Sequence, residues 1–101
     1  MTIHVLLSGR LKIDGYGAKN VLDEDGTYRL DLNDGCTVMD VMQNMAVPTE
    51  KVSMTMLNGR KCQLTSNLKS ADRLILIPED VAAMWRFLGT QNLGMESVLD
   101  F

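Results

Sequence analysis

The sequence predicts a small α+β domain in which a mixed sheet of four to five strands packs against one main helix. Three observations support this prediction: segments of alternating apolar and polar residues, one amphipathic helix, and one unbroken run of branched apolar residues. The chain has 101 residues, of which 46% are hydrophobic and only two are prolines. This is enough apolar material for one compact core, so we expect a single small domain.

Two main strands, and a short one between them, are predicted in the first third of the chain. In residues 2–7 the apolar side chains that fall on one face are Ile3, Val5 and Leu7. Residues 9–26 are rich in glycine and charge, which predicts a long loop with a short strand near Val21-Leu22. The second strand has an apolar face formed by Tyr28, Leu30 and Leu32.

The main helix is predicted to begin after Thr37, whose hydroxyl can accept a hydrogen bond from a first-turn amide. Asp40 places a carboxylate near the positive end of the helix dipole. The apolar stripe has the spacing of an amphipathic helix, and its members are Val38, Val41, Met42 and Met45. Pro48 is expected to stop the helix after about ten residues, because proline lacks an amide hydrogen.

The second half of the chain predicts a third strand with its apolar face formed by Val52, Met54 and Met56. Asn58-Gly59 is a strong turn dipeptide, and residues 61–64 form a short return. Residues 74–77 are consecutive branched apolar residues, closed by Pro78. Such a run suits a strand that is buried on both faces, so we expect it at the centre of the sheet.

Composition argues against several classes of function. A net charge of −3 is unfavourable for nucleic-acid binding, and the apolar run at residues 3–7 is too short for a membrane span or a secretory leader. Two cysteines make no disulfide framework, so we expect a cytoplasmic chain with reduced thiols.

Residues with catalytic or metal-binding chemistry are few. His4 is the only histidine and lies on a predicted strand face, so a surface or half-buried histidine is expected. Cys36 and Cys62 cannot supply the four ligands of an iron–sulfur cluster. Because no nucleophile is paired with a base and no metal-ligand spacing exists, we expect no cofactor and no enzymatic activity.

Several segments together resemble the sulfur-carrier branch of the ubiquitin-like β-grasp family, which includes the small subunit of molybdopterin synthase and the thiamine sulfur carrier. The matching segments are residues 36–42, Val47-Pro48, residues 52–60, residues 68–74 and Ile77-Pro78. Where the family reads aspartate-glycine-aspartate before its last strand, this chain has Ser70-Ala71-Asp72. The resemblance implies a β-grasp domain over residues 1–78 and leaves residues 79–101 as a C-terminal extension.

The resemblance also implies a function and partners. Carriers of this family act in molybdenum or tungsten pterin cofactor biosynthesis or in thiamine biosynthesis, and they end in Gly-Gly on a thin, flexible strand. A ubiquitin-activating-like enzyme adenylates the terminal carboxylate, sulfur replaces the adenylate, and a synthase large subunit can be the recipient. The resemblance therefore implies an adenylating enzyme or a synthase large subunit as partner.

The chain departs from the family at this terminus, because none of its eight glycines is adjacent to another. The place of the diglycine is taken by Ala82, Ala83 and Met84. Trimming at Gly89 or Gly94 would expose a single glycine, as a carrier role would then require. The alternative function is a non-catalytic β-grasp interaction module that uses its extension for partner binding or self-association.

The extension has its own pattern. The apolar spacing predicts a short helix after residues 78–80, with a stripe formed by Val81, Met84, Trp85 and Leu88. A second apolar group follows, formed by Leu93, Met95, Val98, Leu99 and Phe101. Three arrangements stay open: both groups fold onto this domain, they dock a partner or a second copy with Trp85 as anchor, or they are disordered.

Overall fold

The computed structural model describes the backbone of residues 1–91 and the side chains of residues 1–87. The six strands within residues 1–91 are β1 (Thr2–Leu7), β2 (Val21–Leu22), β3 (Tyr28–Asp31), β4 (Met54–Leu57), β5 (Arg60–Cys62) and β6 (Arg73–Ile77). The same part of the chain has three α-helices, α1 (Gly9–Ile13), α2 (Val38–Asn44) and α3 (Glu79–Gln91), and a 3₁₀ turn at Thr49–Lys51. The second apolar group of the extension, residues 93–101, lies outside the described residues.

All six strands form one mixed sheet in the order β2-β3-β1-β6-β4-β5. The central strands β1 and β6 are parallel, and every other neighbouring pair is antiparallel. The sheet exceeds the expected four to five strands because the short strands β2 and β5 both pair at its edges. The prediction that residues 74–77 lie at the centre is confirmed, since β6 runs between β1 and β4 with Leu74, Leu76 and Ile77 buried.

Helix α2 covers the inner face of this sheet and completes the hydrophobic core. Its N-terminus has the predicted cap: the Thr37 amide donates to Asp40 Oδ2 at 2.8 Å, and the Asp40 amide donates to Thr37 Oγ1 at 3.4 Å. The helix has seven residues, fewer than about ten, because the backbone turns left-handed at Ala46, where φ is 59°. The side chains buried in the core include Ile3, Val5, Leu7, Leu30, Val38, Val41, Met42, Leu74 and Leu76.

The predicted loop over residues 9–26 is wrong for its first residues, which form helix α1. Gly9 begins this helix at a positive φ of 53°, and Leu11 is buried in the core. Packing of the Leu11 side chain in the core stabilises this short helix.

The predicted face of the third strand is also wrong. In β4 the buried residue is Thr55, with 4% of its surface exposed, while Met54 and Met56 are half-buried on the opposite face of the sheet. Thr55 pairs with Leu76, whose side chain points into the core. The hydroxyl of Thr55 is satisfied there because it donates to the Cys62 carbonyl at 3.0 Å.

Candidate functional site

The C-terminal junction is the place where the resemblance puts the diglycine, and in this structure it is helical. Helix α3 begins at Glu79, directly after the last strand and Pro78. The Ala82 amide donates to the Pro78 carbonyl at 3.0 Å, and Ala82 is completely buried at 0% exposure. Ala83 and Met84 follow on the exposed side. The junction is therefore a packed helix, not the thin extended strand on which a carrier presents its terminus.

Contacts with the domain fix the start of α3. A side-chain carbon added at Gly9 would come within 2.5 Å of Val81 Cγ2, so Val81 packs directly on the backbone of α1. Ser53 Oγ donates to Glu79 Oε2 at 2.6 Å, and Arg86 makes an ion pair with the same carboxylate. The Ser53 hydrogen bond is the main cause of a lowered pKa of Glu79, with a smaller contribution from Arg86.

The structure separates the residues that the sequence pattern grouped as a docking stripe. Val81 and Trp85 are half-buried, whereas Met84 is 60% exposed. Phe87, which the stripe did not include, is 61% exposed beside it. In α2 the adjacent residues Val41 and Met42 are both buried, so adjacency in sequence does not reveal which of Met84 and Trp85 is the more exposed.

The structure describes two of the three remaining predicted positions only in part and does not describe the third. Gly89 lies in the backbone of α3, and the side chain of Leu88 is outside the described set. Gly94 lies beyond the residues that the structure describes. Their roles as processing or docking positions stay predictions.

The outer face of the sheet, opposite α2, carries a patch of half-buried apolar side chains. We call this the outer patch, and its members are Leu6, Met54, Met56 and Ile75. Leu6 pairs with Ile75 across β1 and β6, and Ile75 pairs with Met56 across β6 and β4. Cross-strand partners share a face, so these three side chains form one row, which Lys61 extends at the β5 edge.

Asp72 connects the β4–β5 turn to the start of β6. It is buried, and its carboxylate accepts from Asn58 Nδ2 at 2.8 Å and from the Lys69 amide at 2.7 Å. Ala71, just before it, has a positive φ of 70°. This is the conformation that glycine adopts most readily, so the backbone keeps a left-handed turn where the family sequence has glycine.

Residues 1–91 contain no cluster of histidine, cysteine, aspartate or glutamate suited to a metal ion. Cys36 and Cys62 are both free and half-buried. Within the same part of the chain, no helix combines the length and apolar character needed to cross a bilayer.

A mixed sheet with parallel central strands, covered on one face by α2 inserted between β3 and β4, defines the ubiquitin-like β-grasp fold. The solved structures similar to this chain include SAMP1 from Haloferax volcanii, with a TM-score of 0.55 and 16% sequence identity over 77% of this chain and 94% of that one. A second structure, of H. volcanii small archaeal modifier protein 1, has a TM-score of 0.54 and 16% identity over 76% and 95% of the two chains. No protein-family model matches the sequence, and no curated protein matches it. The structural likeness therefore establishes the fold.

Proposed function

We propose that this chain is a non-catalytic ubiquitin-like interaction module that binds a partner enzyme without carrying sulfur on its own terminus. The observation that carries this proposal is the burial of Ala82 inside α3, at the position of the family diglycine. An adenylating enzyme needs a free carboxylate on an extended segment that can enter its active site. A helix about 10 Å wide does not provide such a segment.

The outer patch is the proposed docking surface. Its four apolar side chains are only half-buried, and three of them lie in one cross-strand row that Lys61 extends. Such areas on small soluble domains mark protein contact sites. The partner expected from the family resemblance is an adenylating enzyme of the ubiquitin-activating kind or a synthase large subunit, in the cytoplasm.

The proposal is tested by mixing the full-length chain with such an adenylating enzyme from the same organism, ATP and Mg²⁺. We expect calorimetry to show binding and intact-mass measurement to show no adenylate or thiocarboxylate on the chain. Met56→Glu, on the β4 side of the patch next to Lys61, should weaken binding about ten-fold or more. Met39→Glu, at another half-buried methionine on α2 and away from the outer face, is the matched control and should leave affinity unchanged.

A sulfur-carrier role after processing is the second candidate, and the structural likeness to an archaeal small modifier favours it. It requires a shortened chain that ends at Gly89 or Gly94. Intact mass of the protein from its native cells distinguishes the two proposals. A shortened species with sulfur in place of one carboxylate oxygen would support the carrier role, and full-length mass alone would exclude it.

Self-association through α3 is a further possibility within the interaction-module proposal, because Met84 and Phe87 present apolar side chains to solvent. Sedimentation velocity across a range of protein concentrations tests this role. A homodimer that Phe87→Glu dissociates would support it, and a monomer at every concentration would exclude it.

A further inference from the structure

Strand β5 forms one edge of the sheet, and its outer side has no strand partner among the described residues. The hairpin that carries β5 turns at Asn58 and Gly59, which both have a positive φ, of 52° and 83°. In a hairpin with such a two-residue turn, the residues that flank the turn exchange both of their backbone hydrogen bonds. Leu57 and Arg60 are this flanking pair.

The backbone of Lys61 faces the open edge. Hydrogen-bonded and non-hydrogen-bonded pairs alternate along an antiparallel ladder, so the next pair, Met56 and Lys61, exchanges no backbone hydrogen bond. The N–H and C=O groups of Lys61 therefore point away from β4, to the side where a further strand would lie. An extended chain added there in antiparallel orientation would form two backbone hydrogen bonds with Lys61.

The side chains on this edge are basic on both faces of the sheet. Lys61 shares the outer face with Met56, whereas Arg60 pairs with Leu57 and lies on the inner face. Both cations are exposed, and within residues 1–87 neither of them makes an ion pair. In a chain with a net charge of −3, two adjacent unpaired cations on an open edge form a local positive charge that an acidic partner complements.

A pocket of about 210 Å³ lies beside the end of β5. The half-buried side chains of Val52, Cys62 and Leu64 form part of its lining, so it suits an apolar side chain. A chain added antiparallel to β5 would reach this pocket with the residue opposite Cys62. The next two residues of that chain would lie opposite Lys61 and then opposite Arg60.

We propose that the β5 edge binds an extended acidic segment of a partner protein by antiparallel strand addition, with the order apolar, acidic, acidic along the segment. The apolar side chain enters the pocket beside Cys62, and the two carboxylates pair with Lys61 on the outer face and with Arg60 on the inner face. This site borders the outer patch at Met56, and it does not depend on the partner being an adenylating enzyme. Charged side chains on an edge strand can also serve only to prevent edge-to-edge aggregation, so the experiment must separate the two roles.

The experiment is an NMR titration of the full-length chain with a capped peptide that has valine-glutamate-glutamate at its centre and threonines on both sides. Its uncharged match has valine-glutamine-glutamine. We expect the amides of residues 60–63 to shift, and the acidic peptide to bind about three- to ten-fold more tightly than its match, as expected for two exposed ion pairs. At saturation the Lys61 amide should exchange more slowly with solvent, whereas the Cys62 amide, which is already bonded to β4, should change little.

Variants of the cations complete the test. Lys61→Gln and Arg60→Gln should each reduce the preference for the acidic peptide about two-fold or more. Lys12→Gln, which removes an exposed and unpaired cation of α1, is the matched control and should leave the preference unchanged. The proposal is overturned if the acidic peptide fails to bind at millimolar concentration, since the two cations would then only guard the edge. It is equally overturned if both peptides bind with the same affinity, or if binding leaves the exchange of the Lys61 amide unchanged.

Discussion

Replacing Asp72 by asparagine should destabilise the domain far more than the same change at an exposed aspartate. The carboxylate of Asp72 accepts from two donors, Asn58 Nδ2 and the Lys69 amide. Asn58 cannot turn its side-chain amide around to accommodate a new donor, because its Oδ1 atom already accepts from the Arg73 amide at 2.9 Å. Asparagine at position 72 must therefore point its NH₂ group at one of two donors.

The magnitude follows from these contacts. One hydrogen bond to a charged acceptor is lost, which is worth about 1.5–3 kcal/mol, and the bond that remains is no longer charge-assisted. Asp72 itself is only 9% exposed, whereas the two residues that donate to it, Asn58 and Lys69, are exposed. We expect Asp72→Asn to lower the free energy of unfolding by about 2–3 kcal/mol. For a small domain this is a large fraction of the total stability.

Urea unfolding at neutral pH measures the effect, with the free energy obtained by linear extrapolation. The matched control is Asp31→Asn, since Asp31 is exposed and its Oδ1 atom, which asparagine keeps, accepts only from Thr2 Oγ1 at 2.7 Å. The control should change stability by less than about 0.5 kcal/mol. A loss below about 1 kcal/mol in Asp72→Asn would refute the argument from hydrogen-bond geometry.

Four further predictions test other parts of the structure. The Thr27 hydrogen bonds, followed by Arg73, lower the pKa of Asp25 from 3.8 to about 2. The part of the unfolding free energy that Asp25→Asn removes should therefore be fully present above pH 3.8 and be lost as pH falls through about 2. Urea unfolding of both proteins at several pH values measures this difference. Gly9→Ala should cost about 2–4 kcal/mol in urea unfolding and change the fluorescence of Trp85, because the new methyl group meets Val81 at a positive φ; an unchanged spectrum and stability would contradict the packing of α3. Ala71→Gly should raise the midpoint of thermal unfolding and add about 0.5–1 kcal/mol by relieving a φ of 70°. Thr37→Ala should cost about 1 kcal/mol in urea unfolding through loss of the capping box, and Thr37→Ser should restore most of it.

The features that could be predicted from the sequence are those with a strong local pattern. Helix α2 has both a capping box and an apolar stripe, so its start at Val38 is correct. Strand β6 carries four consecutive apolar residues, a pattern typical of central strands, and it does lie at the centre of the sheet, with Leu74, Leu76 and Ile77 buried and Ile75 half-buried. These two elements are also the ones that define the fold.

The errors come from sequence patterns that are too short, or that are compatible with burial of either face of the element. Helix α1 has five residues, too few to show a repeated helical spacing of apolar residues in the sequence. Of its two large apolar side chains, Leu11 is buried and Ile13 is 78% exposed. In β4 the methionines suggest the core face, yet the outer patch is apolar enough to hold Met54 and Met56 while Thr55 points inward. Only the strand register decides between these alternatives, and register is a non-local property.

For the candidate site, the sequence predicts a helix after Pro78 but not which of its faces is buried. The contact between Val81 and Gly9 joins residues from opposite ends of the chain, so no local pattern reveals it. Burial of Ala82 has the same origin, since a small residue gives no apolar signal. The pairing of His4 with Arg29 and Arg73 is equally hidden, because these residues come together only through strand pairing.

The parallel pairing of β1 with β6 has a consequence for how the chain reaches this structure. The hydrogen bond from Ser8 to the Leu76 carbonyl spans 68 positions, so the two central strands meet only after most of the chain has been made. Until then, Ile3, Val5 and Leu7 belong to a strand with an unprotected edge on that side. A nascent or truncated chain that ends before Arg73 would therefore expose an aggregation-prone segment, and a chaperone that binds residues 2–7 would protect it during synthesis.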